Sequence, residues 1–419
     1  MRFFISVILL MLSSQNSLAD TFLFGNDSRD NFIVEGKVWQ EPRYNISDES
    51  LTGTTPQCSE FSPDEVVTCS YLYPKRGKPG SGWTPKFYCK TADGEKLKVK
   101  YGQNNGEVFS EVFSSRLVQL LGFKADCNYP VKKVVCLDCP ENPFQYSQDF
   151  ARSQEDPNAR FAVREFPYAL IEKKFGKEII SNIDGKEIEG WGFDEFLREN
   201  LRHEDQEQNL AREALTLLMS VLEHGDNKRS NQRLYCKTPL SADGVCPNDQ
   251  KYLVVQDLGA TLGTYKFKDK NGQLVNMPPT ASFEYFKYAP IWSIGRNARW
   301  SQCTVQVIAF DSSKETATLK SQAISEDGRL FLVDLLSQVS KEQIAELVKV
   351  SKLAERTADQ DVAEKMTKLI RDESKLSRLP VLPFNEDQVS ADNWIDLIWQ
   401  RLKSVENSSC PSITKRNEF

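Results

Sequence analysis

Ten cysteines, all downstream of an N-terminal apolar leader, constrain this 419-residue chain more than any other feature. The leader has a basic residue (Arg2), an apolar run from Phe3 to Leu12 and small residues ending at Ala19, the three parts of a secretory signal peptide. That run is too short to span a bilayer, and no other stretch reaches ~18 uninterrupted apolar residues. The expectation is an exported chain, periplasmic or secreted, with residues 1–19 removed and no transmembrane segment. An even number of cysteines in an exported chain reads as a set of disulfides. Cys236 and Cys246 flank the hairpin-like excursion "KTPLSADGV" and are expected to pair, and Cys58 with Cys69 is expected as a second bridge. The Cys136-x-x-Cys139 spacing also suits zinc, but a zinc site wants a second such pair or two nearby histidines. The chain has only His203 and His224, so a disulfide is the preferred reading there as well.

About 400 mature residues exceed one typical hydrophobic core, which predicts two or more packed units. A net charge of −6 offers no electrostatic footprint for nucleic acid. An apolar content of 40% excludes wholesale disorder.

Residues 20–74 carry scattered aromatics and turn residues and form an N-terminal extension without recognisable chemistry. From Lys75 a basic, glycine-rich loop leads into "KFYCK", an Asp93-Gly94 turn and "KLKVKY". There Leu97, Val99 and Tyr101 alternate with Lys98 and Lys100, the period of a strand. "GEVFSEVFSSRLVQLLGF" reads as a helix stopped by Gly122. "KKVVCL" and "YALIEKKF" (Tyr168 to Phe175) read as strands, and residues 140–160 between them as a polar loop. Leu210, Ala214, Leu217, Leu218 and Leu222 line one face of a strong helix. "YLVV" is a buried strand breaking into Asp257-Leu258-Gly259. The tail from about 325 is helical, with Ser340 and Gln343 forming a capping box.

The chemistry concentrates at the end of the strong helix. "HGDNKRSN" has the form H-x-D-x-x-x-x-N, the spacing of a kinase catalytic loop. In that role Asp226 accepts the acceptor hydroxyl's proton and Asn231 binds Mg²⁺, with His224 bracing the loop. Asp257, followed by Gly259 after a buried strand, suits a second metal ligand. A strand lysine holding the phosphates completes the set. Lys98 and Lys100 point the same way and either could serve, though the pattern Leu97-Lys98-Val99-Lys100 parallels V-A-I-K and favours Lys100.

At these residues the chain resembles the HipA-type serine/threonine kinases. "SGWTPKF" is similar to the loop that lies over the nucleotide in that family, which implies nucleotide contacts for Gly80, Ser81, Gly82 and Lys86. "EVFSSRLVQLLG" resembles the segment opening with the lysine-pairing glutamate, here Glu111. "LIEKKF" resembles the hinge that receives adenine, with Glu172 at its centre. "HGDNKRSNQRLYC" and "QDLGATLG" are also similar to a group of exported bacterial kinase-like proteins. The pieces span about residues 77 to 263. Trp83-Thr84 departs from the family loop, and Lys98 stands where kinases place a small residue against adenine.

These readings predict a disulfide-stabilised α+β protein with a two-lobed kinase-like fold. A mainly β lobe with one glutamate-bearing helix would occupy 75–170, and a mainly α lobe with a helical tail 171–419. The expected activity is ATP- and Mg²⁺- (or Mn²⁺-) dependent transfer of the γ-phosphoryl group to a hydroxyl acceptor, a protein Ser/Thr being first choice. The alternatives are an inactive pseudokinase or binding module, and a transferase of the same fold acting on a sugar or lipid or moving AMP. In a chain where "EHGDNKRSNQ" is only a turn, Asp226, Asn231 and Asp257 would not converge.

Overall fold

The alternation in "KLKVKY" sends Leu97 and Val99 into a core with Phe87 and Cys89, and turns Lys98 and Lys100 to the opposite face. The computed structural model describes residues 22–24, 29–77, 82, 84–152, 159–183, 186–188, 190–238, 245–268, 274–289, 291, 304–311, 316–358 and 389–410. The expected leader, Gly80, Ser81 and Cys303 lie outside the described residues.

In chain order, the first half holds β1 (Phe22–Phe24), α1 (Arg29–Glu35), β2 (Val66–Tyr71), β3 (Lys86–Lys90), β4 (Lys96–Tyr101), α2 (Gly106–Leu120), β5 (Cys127–Pro130), β6 (Lys133–Pro140), α3 (Pro143–Ala151), β7 (Phe161–Phe166) and β8 (Ala169–Lys173). There follow β9 (Lys177–Ile183), β10 (Lys186–Ile188), α4 (Gln206–Val221), β11 (Gln232–Cys236), β12 (Lys251–Val255), β13 (Lys266–Lys268), β14 (Leu274–Asn276) and α5 (Pro279–Tyr288). The tail holds β15 (Thr304–Asp311), β16 (Thr316–Ala323), α6 (Glu326–Ser337), α7 (Lys341–Val350) and α8 (Ala391–Glu406). The protein is thus mixed α+β.

A seven-stranded sheet runs β5-β8-β4-β3-β2-β6-β7, with only β2 and β6 parallel. A second sheet, β1-β9-β11-β12 with β10 on β9, carries β11, directly after the 222–231 loop, and β12, directly before Asp257. Between sheet and helices lies α2, in which every residue except Glu107 is buried. Each of its buried polar side chains makes at least one hydrogen bond, although Glu111 Oε1 and Arg116 Nε have no hydrogen-bond partner among the described residues. Ser110 donates to the carbonyl of Gly259 at 2.6 Å, Ser114 bonds Thr261 at 2.7 Å, and Arg116 donates to the carbonyls of Leu51 and Gly53. Gly122, in the left-handed region, ends the helical run as expected.

The extension acts as a strap. Lys37 bridges to Tyr252 and Trp39 to Phe123, while Gln343 of α7 donates to the carbonyl of Ile46 at 2.6 Å. Phe32, Ile33, Val38 and Trp39 enter the main core.

Two expectations need correction. Among the described residues the bridges are Cys58–Cys127, Cys69–Cys89, Cys136–Cys139 and Cys236–Cys246, so Cys58 and Cys69 are both bonded but not to each other. Cys69 lies within β2, one strand from Cys89 in β3, whereas the strap carries Cys58 onto β5. Closing the 69-residue separation between Cys58 and Cys127 stabilises by about 4 kcal/mol in the chain-entropy account. The supposed loop at 140–160 contains α3, started by Asn142, whose side chain accepts from the Gln145 N–H, and by a proline at the first position. Its Tyr146 packs edge-on against Tyr71 and Phe161.

Candidate functional site

The face of the large sheet turned toward α2 carries an unusual run of charge. Across β3, β4 and β8 the register sets Lys86 beside Lys100, Lys98 beside Glu172 and Lys100 beside Leu170. Lys100 is 2% exposed, and its ammonium meets three carboxylates: Glu111 Oε2 at 2.5 Å, Asp257 Oδ1 at 3.0 Å and Glu172 Oε2 at 3.2 Å. One buried cation with three donors thus joins a strand, a helix and the turn after β12. Lys98 donates to Glu172 Oε1 at 2.5 Å.

Asp257 reaches Lys100 because it adopts a left-handed conformation, φ 53°, at the break after β12. A non-glycine residue held there costs of order 1 kcal/mol and persists only where its surroundings enforce it. Gly259 has a steric reason: a Cβ there would lie 2.8 Å from Cβ of Glu107, so a side chain would push α2 away.

The 222–231 loop is laced to the same turn. The N–H of Gln256 donates to the carbonyl of Asn231 at 3.1 Å, that of Gly225 to Ala260 at 2.8 Å, and that of Leu262 to Leu222 at 2.9 Å. The loop that carries Asp226 and Asn231 therefore lies against the turn that carries Asp257. Asn231 donates through Nδ2 to both the carbonyl and the carboxylate of Asp226, each at 2.8 Å. Only the NH₂ end of an amide can serve two acceptors, so Oδ1 is left as a lone-pair donor. The buried His224 anchors the loop through its N–H to the carbonyl of Met219 at 2.9 Å.

Charge and burial set the protonation states. Burial alone would lower Lys100, but Asp257, Glu111 and Glu172 outweigh it and hold the pKa well above the usual lysine value. Asp257 is held far below the carboxylate range, chiefly by Lys100. Three carboxylates sharing one ammonium cannot all ionise freely, and burial pushes Glu111 up to about 8. Burial would raise Glu172 too, but Lys98 and Lys100 overcome it and bring it down to about 2. Lys86 falls to about 8, through burial and then its lysine neighbours. Burial lowers His224 as well.

Of the remaining expected residues, Gly82 is exposed with φ +80°, where a Cβ would stand 3.1 Å from Nζ of Lys86. Glu172 sits in β8 with its side chain committed to the lysines rather than at an open hinge.

Sequence reasoning passed over three contributors. Lys228 pairs with Asp226 at 2.9 Å, and its position two residues after the aspartate was a readable signal. Asp126 accepts from the N–H of Phe175 and from Gln256, which also donates to Tyr235 at 2.7 Å; no motif announces that network. Lys266 donates to Glu107 at 2.5 Å and to Thr84 at 2.7 Å, and Thr84 also bonds Glu107, closing a clasp between the glycine-rich loop, α2 and β13.

Fold and site together define a disulfide-bonded α+β protein with a buried lysine–carboxylate centre beside a half-exposed aspartate loop. No protein-family model matches the chain, and no curated protein matches it. No described helix is long and apolar enough to cross a membrane.

Proposed function

We propose that this chain is an exported, kinase-like phosphotransferase of two lobes, using ATP with Mg²⁺ (or Mn²⁺) to phosphorylate a hydroxyl acceptor, with a protein Ser/Thr as first candidate. The observation that carries this reading is the Lys100–Glu111–Asp257 cluster, whose Asp257 turn is hydrogen-bonded through its backbone to the loop of Asp226 and Asn231. Disulfides fit the oxidising compartment that export implies.

The donor set suits the metal. Asp257 and the free Oδ1 of Asn231 are two protein oxygens, and Mg²⁺ is commonly held by one or two such ligands together with phosphates and waters. Among the described residues no cluster of three or more His, Cys, Asp or Glu is arranged to hold a metal by itself. When bound, the ion would supply charge neutralisation between the phosphates.

The chain's own groups do the remainder. Glu111 fixes Lys100 so that its ammonium points toward the phosphates, and nucleotide entry exchanges the Asp257 contact for phosphate oxygens. Asp226, held by Asn231 and Lys228, orients the acceptor hydroxyl and receives its proton. Lys228 offsets charge at the transferring group. The clasp of Lys266, Glu107 and Thr84 ties the end of the glycine-rich loop at Thr84 to α2 and β13.

The test is the melting temperature of the mature protein with and without Mg²⁺ and ATP, beside Asp257→Asn. Ligand at ~100 times its dissociation constant adds about 2.7 kcal/mol, a visible shift. A Mg²⁺-dependent shift that the mutant loses supports the reading; no shift in either protein sinks it. Asp226→Ala should keep the shift and lose phosphate transfer to acceptor.

A second reading, an inactive pseudokinase or binding module, is favoured by the Lys98–Glu172 pair. That pair fills the position where a kinase of this kind would receive adenine. A product gaining AMP rather than phosphate would instead favour the nucleotidyl-transfer alternative, and transfer to a sugar or lipid would change only the acceptor.

A further inference from the structure

A cavity of about 500 Å³ opens between the strap, β5 and the segment that follows β8. Lys173 and Phe175 line it, whereas none of the residues gathered around Lys100 does. Five cationic side chains and two carboxylates face it, in a chain whose net charge is −6.

Not all of those cations are free. Lys173 is taken by Glu60 and Glu95, and Lys174 by Glu178. Lys124 is different. It is 6% exposed, and no carboxylate pairs with it among the described residues. Its nearest polar contact is Gln40 Oε1 at 3.4 Å, and its ammonium stands 6.0 Å from the Phe175 ring and 5.6 Å from that of Tyr252. A buried ammonium with no counter-charge is costly unless something supplies one. The exposed Lys237 lies close enough to oppose its charge.

We propose that this cavity binds a small phosphate-bearing ligand, the phosphate pairing with Lys124 and Lys237 and the body of the ligand lying against Tyr44 and Phe175. Its volume falls in the range of ordinary small-molecule sites, and Tyr44, Tyr129 and Phe175 give it ring surface beside the charges. Burial, then Lys237, brings Lys124 down to about 8. An anion opposes both causes, so the ligand should draw a proton onto Lys124 wherever the free protein has lost it.

The inference does not depend on the kinase reading, and its test is separate. The mature protein, without nucleotide, is titrated calorimetrically at pH 8.5 with phenyl phosphate and with inorganic phosphate, in two buffers of different ionisation enthalpy. Both probes are dianions at that pH. The expected result is one site, with net proton uptake on binding. Lys124→Met should weaken binding at least ~10-fold and abolish the uptake, the size of effect of one charge-assisted contact. Lys237→Ala, at an exposed position, should weaken it several-fold without touching the core. Asp257→Asn should bind as the wild type does. Tighter binding of phenyl phosphate assigns the site to organic phosphates, and equal affinity assigns it to free phosphate. No binding of either probe, binding without proton uptake, undiminished binding in both lysine variants, or loss of binding in Asp257→Asn overturns the proposal.

Discussion

Lys100 and Asp226 carry single charges on segments joined through the turn at Asp257 and live in opposite surroundings. Lys100 has 2% of its side chain exposed and meets three carboxylates, while Asp226 has 39% exposed and meets Lys228 and Asn231. A buried charge is held in one geometry by the cost of leaving it unpaired, and a half-exposed one is free to exchange partners with water and ligand. In the proposed phosphotransferase the buried centre governs stability and the positioning of the nucleotide, and the exposed loop governs reactivity. Substitutions on the two sides should separate these properties.

Four substitutions press on that division, in order of their effect on folding. Lys100→Met removes the buried cation that Glu111, Glu172 and Asp257 share and should cost ~3–5 kcal/mol in urea unfolding, the usual penalty for breaking a buried pair. A cost under ~1 kcal/mol would mean that the centre is wet. The second concerns pH. Glu111 at about 8 and Asp126 at about 7 keep protons in the native state that the unfolded chain releases above the ordinary carboxylate range. Their stabilisation is complete below that range and is lost as pH rises above it, at about 1.4 kcal/mol per pH unit for each group, until Asp126 titrates near 7 and Glu111 near 8 in the folded protein. Asp257, whose carboxyl is depressed, contributes the reverse: stability present at neutral pH and lost in acid. Unfolding midpoints should peak in mild acid and fall toward pH 8.5, and Glu111→Gln should flatten that fall by one group's slope. Third, Lys98→Ala should cost about 1 kcal/mol and, by vacating the position beside Glu172, tighten nucleotide binding. Unchanged nucleotide affinity would argue that adenine does not lie there. Last, Asp226→Asn should change stability by no more than ~0.5 kcal/mol, as at most solvated positions, while lowering transfer at least ~100-fold. If it unfolds the protein instead, the division between the two regions fails.

What the sequence disclosed followed from local geometry. Strand alternation put Lys98 and Lys100 on one face, a helix beginning near Gly106 presented Glu111, and five-residue spacing brought Asn231 back to Asp226. These are short-range relations, fixed by the periods of helix and strand. Contacts between distant segments were invisible. Asp126 meets Gln256 across 130 positions, Lys98 meets Glu172 across 74, and Cys58 finds Cys127 rather than the nearer Cys69. Each depends on which strands become neighbours, and alternation does not encode that order. The helix at Pro143–Ala151 escaped for a smaller reason: its cap and proline were legible, but only Ala151, Gln148 and Pro143 are buried, too few to make an apolar stripe.

The strap at residues 37–46 touches β12, the end of α2 and α7, so it spans from the second sheet to the helices. In mechanical terms it is a tie-bar between them, and the chain that follows it is riveted to β5 of the large sheet through Cys58–Cys127. A load that pries the second sheet from the helices must first shear the Lys37 and Trp39 attachments. The clasp of Thr84, Glu107 and Lys266 is a separate fastening, and it ties α2 to β13 without the strap.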